Sequence, residues 1–325
     1  MTTIATPVIT AGAPDAGETL APSDRPWRRA LRSGRVLVGG GILLAVTLVC
    51  LLTLPLTLRE GGRLYYNDQD TAAARQPPNL DPPTWFGTDM LGRSLLGRCL
   101  LGGCISLLVG LAAAGLSVTL GVTVGLLAGY RGGWVDAALM RFVDILYGLP
   151  YVLLIVLFKI ALEPVLSGRL GLSPAASNLV VLFLAIGLVS WLTMARVVRG
   201  QVLSLRAQPF IEACRAMGLP EWRIFTRHLL PNLVGPVIVY ATLTVPQAIL
   251  QESFLSFLGI GIQAPMPTWG SLANDGLVQA LNTVAPRVWM LLFPCLLLAV
   301  TLLSLNFLGD GLRDVFDPKR EAAKI

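Results

Sequence analysis

The chain has 325 residues, of which 54% are hydrophobic and 14% charged, against about 45–50% and about 25% in soluble domains. The excess is gathered in long uncharged blocks, which excludes an ordinary soluble domain; the blocks also lack the polar–apolar alternation of a membrane β-barrel. A formal charge of +6 comes without a basic stripe interleaved with aromatics, so nucleic acid is not an indicated partner.

Residues 1–35 form a tail whose first 24 residues, rich in Ala, Pro, Thr and Gly, carry too little periodic apolar content to fold and are expected to be disordered. Arg25, Arg28, Arg29, Arg32 and Arg35 then precede the uncharged run Val36–Leu58. At 23 residues that run exceeds the 7–15 of a cleaved signal core, so it reads as an uncleaved first transmembrane helix, 36–58. Residues 59–98 form a loop of balanced charge. Within it Thr88, Asp89, Gly92 and Arg93 are expected to cap the next helix, Asp89 adding favourable charge at its N-terminus.

Residues 99–312 make the core. Cys99–Tyr130, Leu170–Ala195, Leu229–Gln251 and Val288–Gly309 are each uncharged and long enough to span a bilayer. A further run, Ala137–Phe158, is interrupted by Arg141 and Asp144, which are spaced to pair with each other on a helix and are candidates for a pathway or gate. Six spans result. Gly102, Gly103, Gly110, Gly115, Gly121, Gly125 and Gly129 are read as surfaces for close helix packing. Glu252, at the end of the fifth run, is expected as an interfacial cap, with a pathway role as the alternative. Gly259–Gly270 is expected as an irregular outer loop in which Trp269 anchors at the interface. Residues 313–325 form a C-terminal tail.

Lys and Arg give the orientation. With six spans, both tails share a side with the 131–141 turn and with the loop after the fourth span, and that side carries 17 of the 25 basic residues. It is expected to be cytoplasmic.

The loop on that side, 205–232, is a charged island between two apolar runs and reads as two short helices with a tight break. Pro209 suits a first turn, Gly218 a left-handed C-terminal residue, and Pro220 the opening of the second helix. Phe210, Ala213 and Met217 fall on one face while Glu212 and Arg215 point elsewhere. Small residues at Ala213, Ala216 and Gly218 let another protein approach closely, so the segment reads as a docking element.

Glu212, Ala213 and Gly218, with the following Ile224-Phe225, His228 and Leu230-Pro231-Asn232, resemble the cytoplasmic signature loop of bacterial ABC importer permeases. Phe86–Arg98, Gly129–Asp136, Arg141–Pro150, Ser256–Gly270 and Asn306–Pro318 narrow the resemblance to the C-type permease subunit of the dipeptide/oligopeptide/nickel group. The resemblance implies an all-α integral membrane protein of type I importer architecture in a bacterial inner membrane, with both termini cytoplasmic. It also implies partners: a homologous sister permease, one or two ATPase subunits and an extracytoplasmic binding protein. Glu212, Ala213 and Gly218 are the matched positions that would then seat in the ATPase, Gly259–Gly270 would help form the outer gate, and Phe210, Arg215 and Met217 on the same short helix are read as further docking contacts.

Chemistry within the chain is sparse. One histidine, His228, supports no multi-imidazole site and is expected at a helix end. No Gly-x-x-x-x-Gly-Lys-[Ser/Thr] loop is present, so no nucleotide hydrolysis is expected of this chain and no cofactor is indicated. Cys50, Cys99, Cys104, Cys214 and Cys295 lack metal-ligand spacing and read as apolar filler. A passive channel would leave the docking element without a purpose, and a membrane-embedded enzyme would have only Arg141, Asp144 and Glu252 to work with. The reading is an importer permease for peptides, with nickel chelates, glutathione or another small solute as the alternative cargo.

Overall fold

The structure is a computed structural model that describes residues 30–169 and 171–316. The expected disordered tail and the last residues of the C-terminal tail lie outside the described residues. Every regular element among those residues is helical, apart from one isolated bridge between Thr88 and Ser94. The helices are α1 (Gly34–Leu58), α2 (Leu95–Arg131), α3 (Gly133–Tyr147), α4 (Tyr151–Arg169), α5 (Pro174–Arg206), α6 (Pro209–Ala216), α7 (Glu221–Ile224), α8 (Leu230–Phe257), α9 (Trp269–Ala280) and α10 (Trp289–Phe316). Six of them, with α7 and α8 joined as one rod, are long and apolar enough to cross a membrane.

The centre is α2 against α5. Gly121, Gly125 and Gly129 repeat every fourth residue along α2, and an added Cβ on them would run into Met194, the Ala195 carbonyl and Val202 of α5. The backbones approach closely there because nothing projects between them, as small residues allow in lipid. Gly110 meets Ile249 of α8 in the same way, whereas Gly115 faces open space and needs another explanation. Val109, Ala113, Leu182, Ala185 and Ile186 fill the core beside this seam.

Several expected spans are bounded differently in the structure, and two of the differences bear on the site. The run 137–158 is divided, because Gly148-Leu149-Pro150 ends α3 and starts α4: Leu149 precedes a proline and is steered out of the helical region, and Pro150 offers no N–H. The fourth span continues past Ala195 to Arg206, carrying Arg196, Arg199 and Arg206 within a helix. Each of these arginines has a partner: Asp144, Asp136, and the carbonyls of Gly129 and Tyr130 respectively. The expected Arg141–Asp144 pair is thus replaced by Arg196–Asp144 at 2.7 Å.

The loop opposite the docking element is folded. Ser94, not Asp89, caps α2 by accepting the Gly97 N–H. Asp89 instead takes the Arg93 guanidinium at 2.7 Å and that of Arg98 in a shorter contact, all three side chains being at most 10% exposed. Burial pushes the Asp89 carboxyl up, but Arg98 and Arg93 outweigh it and hold it below the ordinary value. Asp275 of α9 lies 3.9 Å from Arg98, and burial raises its carboxyl. Thr88 ties the loop to itself, donating to the Ala73 carbonyl at 2.6 Å and accepting the Gln76 N–H at 2.8 Å. Gly92 sits at φ +77° with the Asp70 carbonyl against it, so no side chain fits there.

The region after α8 also departs from expectation. Only 258–268 is irregular; Thr268 and Ser271 then form a capping box that starts α9. Trp269 is fully buried rather than interfacial, its Nε1 donating to the Cys99 carbonyl at 3.0 Å. Glu252 is likewise fully buried, accepting from Ser106 of α2 at 2.9 Å and from Ser256 at 2.7 Å. It joins α8 to α2 beneath α9, which corrects the interfacial reading.

Candidate functional site: a docking loop and the cleft between its helices

Loop 205–232 is built around a small apolar nucleus. Ile211 and Cys214 of α6 pack with Ile224 of α7, and Leu219 closes over them. Pro209 starts α6, and Gly218 ends it at φ +74°. The Gly218 N–H donates to the Arg215 carbonyl at 2.9 Å and the Leu219 N–H to the Cys214 carbonyl at 3.1 Å, which completes a Schellman turn. Leu219 against Cys214 is the apolar contact such a turn prefers, so Cys214 anchors the turn.

The other face of α6 is open. Phe210, Glu212, Ala213, Arg215, Met217 and Gly218 are all exposed, Met217 at 71%. Trp222 of α7, 73% exposed and stacked 6.0 Å from Phe225, extends this surface and was not singled out from sequence. An exposed aromatic in a charged island was the available signal. Arg215 differs from its neighbours in being engaged internally: it pairs with Glu221 at 3.0 Å, and Glu221 accepts from the Tyr130 hydroxyl at 3.1 Å.

The second loop helix is not separate. From Pro220 the chain enters α7, passes through a π-helical turn at Phe225–Leu229, and continues as α8, making one rod of 37 residues. Pro231 lacks an N–H and its ring crowds the preceding turn; the wider turn ahead of it relieves both. His228 lies in that turn, its carbonyl accepting from the Asn232 amide at 2.6 Å.

The loop therefore links α5 directly to α8, and between these two helices lies a cleft. Its larger part, about 330 Å³, is walled by the α3–α4 elbow (Tyr147, Leu149, Tyr151), by Ser190 and Thr193 of α5, and by Gln251 of α8. An adjoining groove of about 190 Å³ continues along Thr193, Tyr240, Thr244 and Gln247. Ser190 donates to the Gln251 side-chain oxygen at 3.3 Å. Along α8 the polar lining falls at 240, 244, 247 and 251, on one face of the helix, a spacing readable in the sequence. Of the three candidates from sequence, none lines the cleft. Glu252 turns away into α2, Asp144 is held at the elbow by Arg196, and Arg141 is an exposed residue of α3.

The family described as "Binding-protein-dependent transport system inner membrane component" matches residues 121–322. The oligopeptide transport system permease protein OppC of Haemophilus influenzae is 43% identical over 78% of this chain and 76% of its own length. The dipeptide transport system permease protein DppC of Bacillus subtilis is 39% identical over 93% and 87%, and the Escherichia coli K12 OppC 42% over 90% of both. A solved structure titled "Inward facing conformations of the MetNI methionine ABC transporter" covers 68% of this chain with a TM-score of 0.52 at 20% identity, a likeness of fold. The family match and these relatives show that the chain belongs to the binding-protein-dependent transport system inner membrane component family and, within it, to the C-type ABC permeases that include OppC and DppC.

Proposed function

We propose that this chain forms half of the translocation pathway of an ATP-driven importer of di- or oligopeptides. A sister permease completes the pathway, an ATPase subunit seats on loop 205–232, and an extracytoplasmic binding protein delivers the peptide. The docking loop and both termini face the cytoplasm, as the excess of Lys and Arg on that side favours.

One observation carries the reading: the exposed loop is the direct link between the two helices that wall a polar-lined cleft. A rigid push on α6 acts on α5 at one end and on the α7–α8 rod at the other, and so changes the cleft between them. This is alternating access biased by nucleotide. The lining suits peptide cargo, since the Gln247 and Gln251 amides and the Ser190, Thr193 and Thr244 hydroxyls can donate and accept as a peptide backbone does.

The test is ATP-dependent uptake of a labelled tripeptide into vesicles holding the complete assembly, with Glu212→Arg in parallel. Uptake that is lost in the variant, with the ATPase detached or idle, is the expected result. Flux without ATP would overturn the importer reading in favour of a channel. Binding-protein-stimulated hydrolysis without peptide uptake would redirect the search to nickel chelates or other small solutes.

A further inference from the structure

We propose that Arg196, Asp144 and Tyr147 form a latch that makes the wall of the cleft follow the docking loop, and that they are positioning residues for transport. The inference rests on the docking role proposed for loop 205–232.

Helix α3 is short and jointed at both ends. Gly132 and Gly133, at φ +65° and +56°, separate it from α2, and Gly148 to Pro150 separate it from α4. Its apolar hold on the bundle is Val143, with Met140 and Leu146, packed on Trp191, Leu192 and Ala195 of α5 and on Leu120 and Val124 of α2. Its outer face exposes Trp134, Phe142 and Ile145. Charge supplies the rest of the hold. Arg199 grips Asp136 through two parallel bonds of 2.5 and 2.6 Å near the start of α3. Arg196 reaches Asp144 at 2.7 Å near its end, and the same guanidinium lies 3.9 Å over the Tyr147 ring. Both arginines come from one turn of α5, so α3 is clamped to a single point of that helix at both of its ends.

That point has two neighbours that matter. From Arg196 to Arg206 α5 is unbroken helix, about 15 Å long, and only Ala207 and Gln208 separate it from α6. In the other direction, Tyr147 is itself part of the cleft wall, next to Leu149. Movement of α6 is thus delivered through a stiff helix to Arg196, and from Arg196 to the elbow. The glycine and proline joints let α3 and the elbow swing without bending α2 or α4. Because Arg196 and Asp144 are 37% and 59% exposed, the latch can open and re-form without stranding a buried charge.

The experiment uses the full assembly in vesicles, with this chain's five cysteines replaced and Leu149→Cys as a reporter for a thiol reagent. In the chain with its latch intact, labelling at 149 should differ between nucleotide-free and ATP-trapped complexes. Arg196→Gln and Asp144→Asn should each lower uptake about tenfold or more while the complex still hydrolyses ATP, and should make labelling insensitive to nucleotide. Combining Arg196→Asp with Asp144→Arg should recover uptake at least about threefold over either single variant. Nucleotide-insensitive labelling with the latch intact, normal uptake in the single variants, or no rescue by the exchange would each overturn the latch. Should Glu212→Arg transport normally, the docking role falls as well; should it block transport while the latch variants do not, only the latch falls.

Discussion

The two ends of the bundle use the same chemistry in opposite ways. At the far end, Asp89 with Arg93 and Arg98 is almost fully buried, braced by loop hydrogen bonds and by Phe86 stacked at 4.0 Å on Phe293. At the end formed by loop 205–232, Arg215–Glu221 and Arg196–Asp144 are 36% to 59% exposed, while the bidentate Arg199–Asp136 pair is half-buried. Breaking a buried pair from one side costs about 3–5 kcal/mol, because the surviving charge is left unpaired in a poor solvent. An exposed pair contributes about 0–1 kcal/mol. The buried Asp89 cluster therefore fixes the end formed by residues 59–98, and at the end formed by loop 205–232 the exposed pairs only bias which arrangement is held. An importer needs that division, a firm platform on one side and an adjustable linkage on the other.

The largest expected effect lies in the cap. Asp89→Ala should destabilise the detergent-solubilised chain by about 3–5 kcal/mol, read as a lowered midpoint of thermal unfolding. The pH dependence has a definite sign. The Asp89 carboxyl is held below its ordinary value of 3.8, so its contribution is complete above that pH and is lost as pH falls below it. Asp275, shifted upward, acts in the opposite sense and loses stability as pH rises above 3.8. A thermal scan between about pH 3 and about pH 6 should show the acid-side loss in the parent and a shallower one in Asp89→Ala. A variant as stable as the parent would show that the cap is held by its apolar contacts instead.

Next in size is Glu252. Replacing it with Leu leaves the Ser106 and Ser256 hydroxyls without their buried acceptor, at about 1–3 kcal/mol. Since Glu252 lies outside the cleft, peptide selectivity should be unchanged in whatever fraction still assembles. A changed selectivity would return Glu252 to the pathway.

What could be read in advance divides along physical lines. The spans are a property of contiguous composition, and six were legible because uncharged blocks of bilayer length have few other uses. The Schellman turn at Gly218 was legible for a similar reason: a proline start and a glycine stop are local signals. The fate of Glu252 was not, because its partner lies on a distant element, and that of Asp89 was not, because a loop carboxylate beside two arginines suits a helix cap as well as a buried pair. Ser106 is 146 residues from Glu252, and only a folded bundle brings them together. Trp269 was misplaced because an amphipathic aromatic suits both an interface and a buried site with one carbonyl acceptor. The cleft stripe at Tyr240, Thr244, Gln247 and Gln251 could have been found, since four polar residues at helical spacing on one face are a periodic signal.

The smaller effects test the docking end. Gly218→Ala should cost about 1–2 kcal/mol from its left-handed backbone, with no internal clash, since an added Cβ meets nothing within 4 Å. Gly218→Trp adds bulk on the exposed side of the same turn, so it should abolish transport while leaving the chain in the membrane. Normal transport by that variant would remove the turn from the docking surface. The smallest stability change, about 0–1 kcal/mol, is expected for Arg215→Gln, and it separates two roles that sequence had merged. Glu212 and Arg215 both looked like contacts for a partner, yet Arg215 is spent on Glu221, which is braced by Tyr130 at the end of α2. If that bracing is its work, Arg215→Gln should leave ATPase affinity nearly intact and lower the uptake obtained per ATP hydrolysed, because α6 is less firmly tied to the bundle. Glu212→Arg should do the reverse, weakening ATPase attachment itself. A pull-down of the ATPase beside a paired uptake and hydrolysis assay distinguishes them, and equal loss of ATPase binding in both variants would put Arg215 on the docking surface after all.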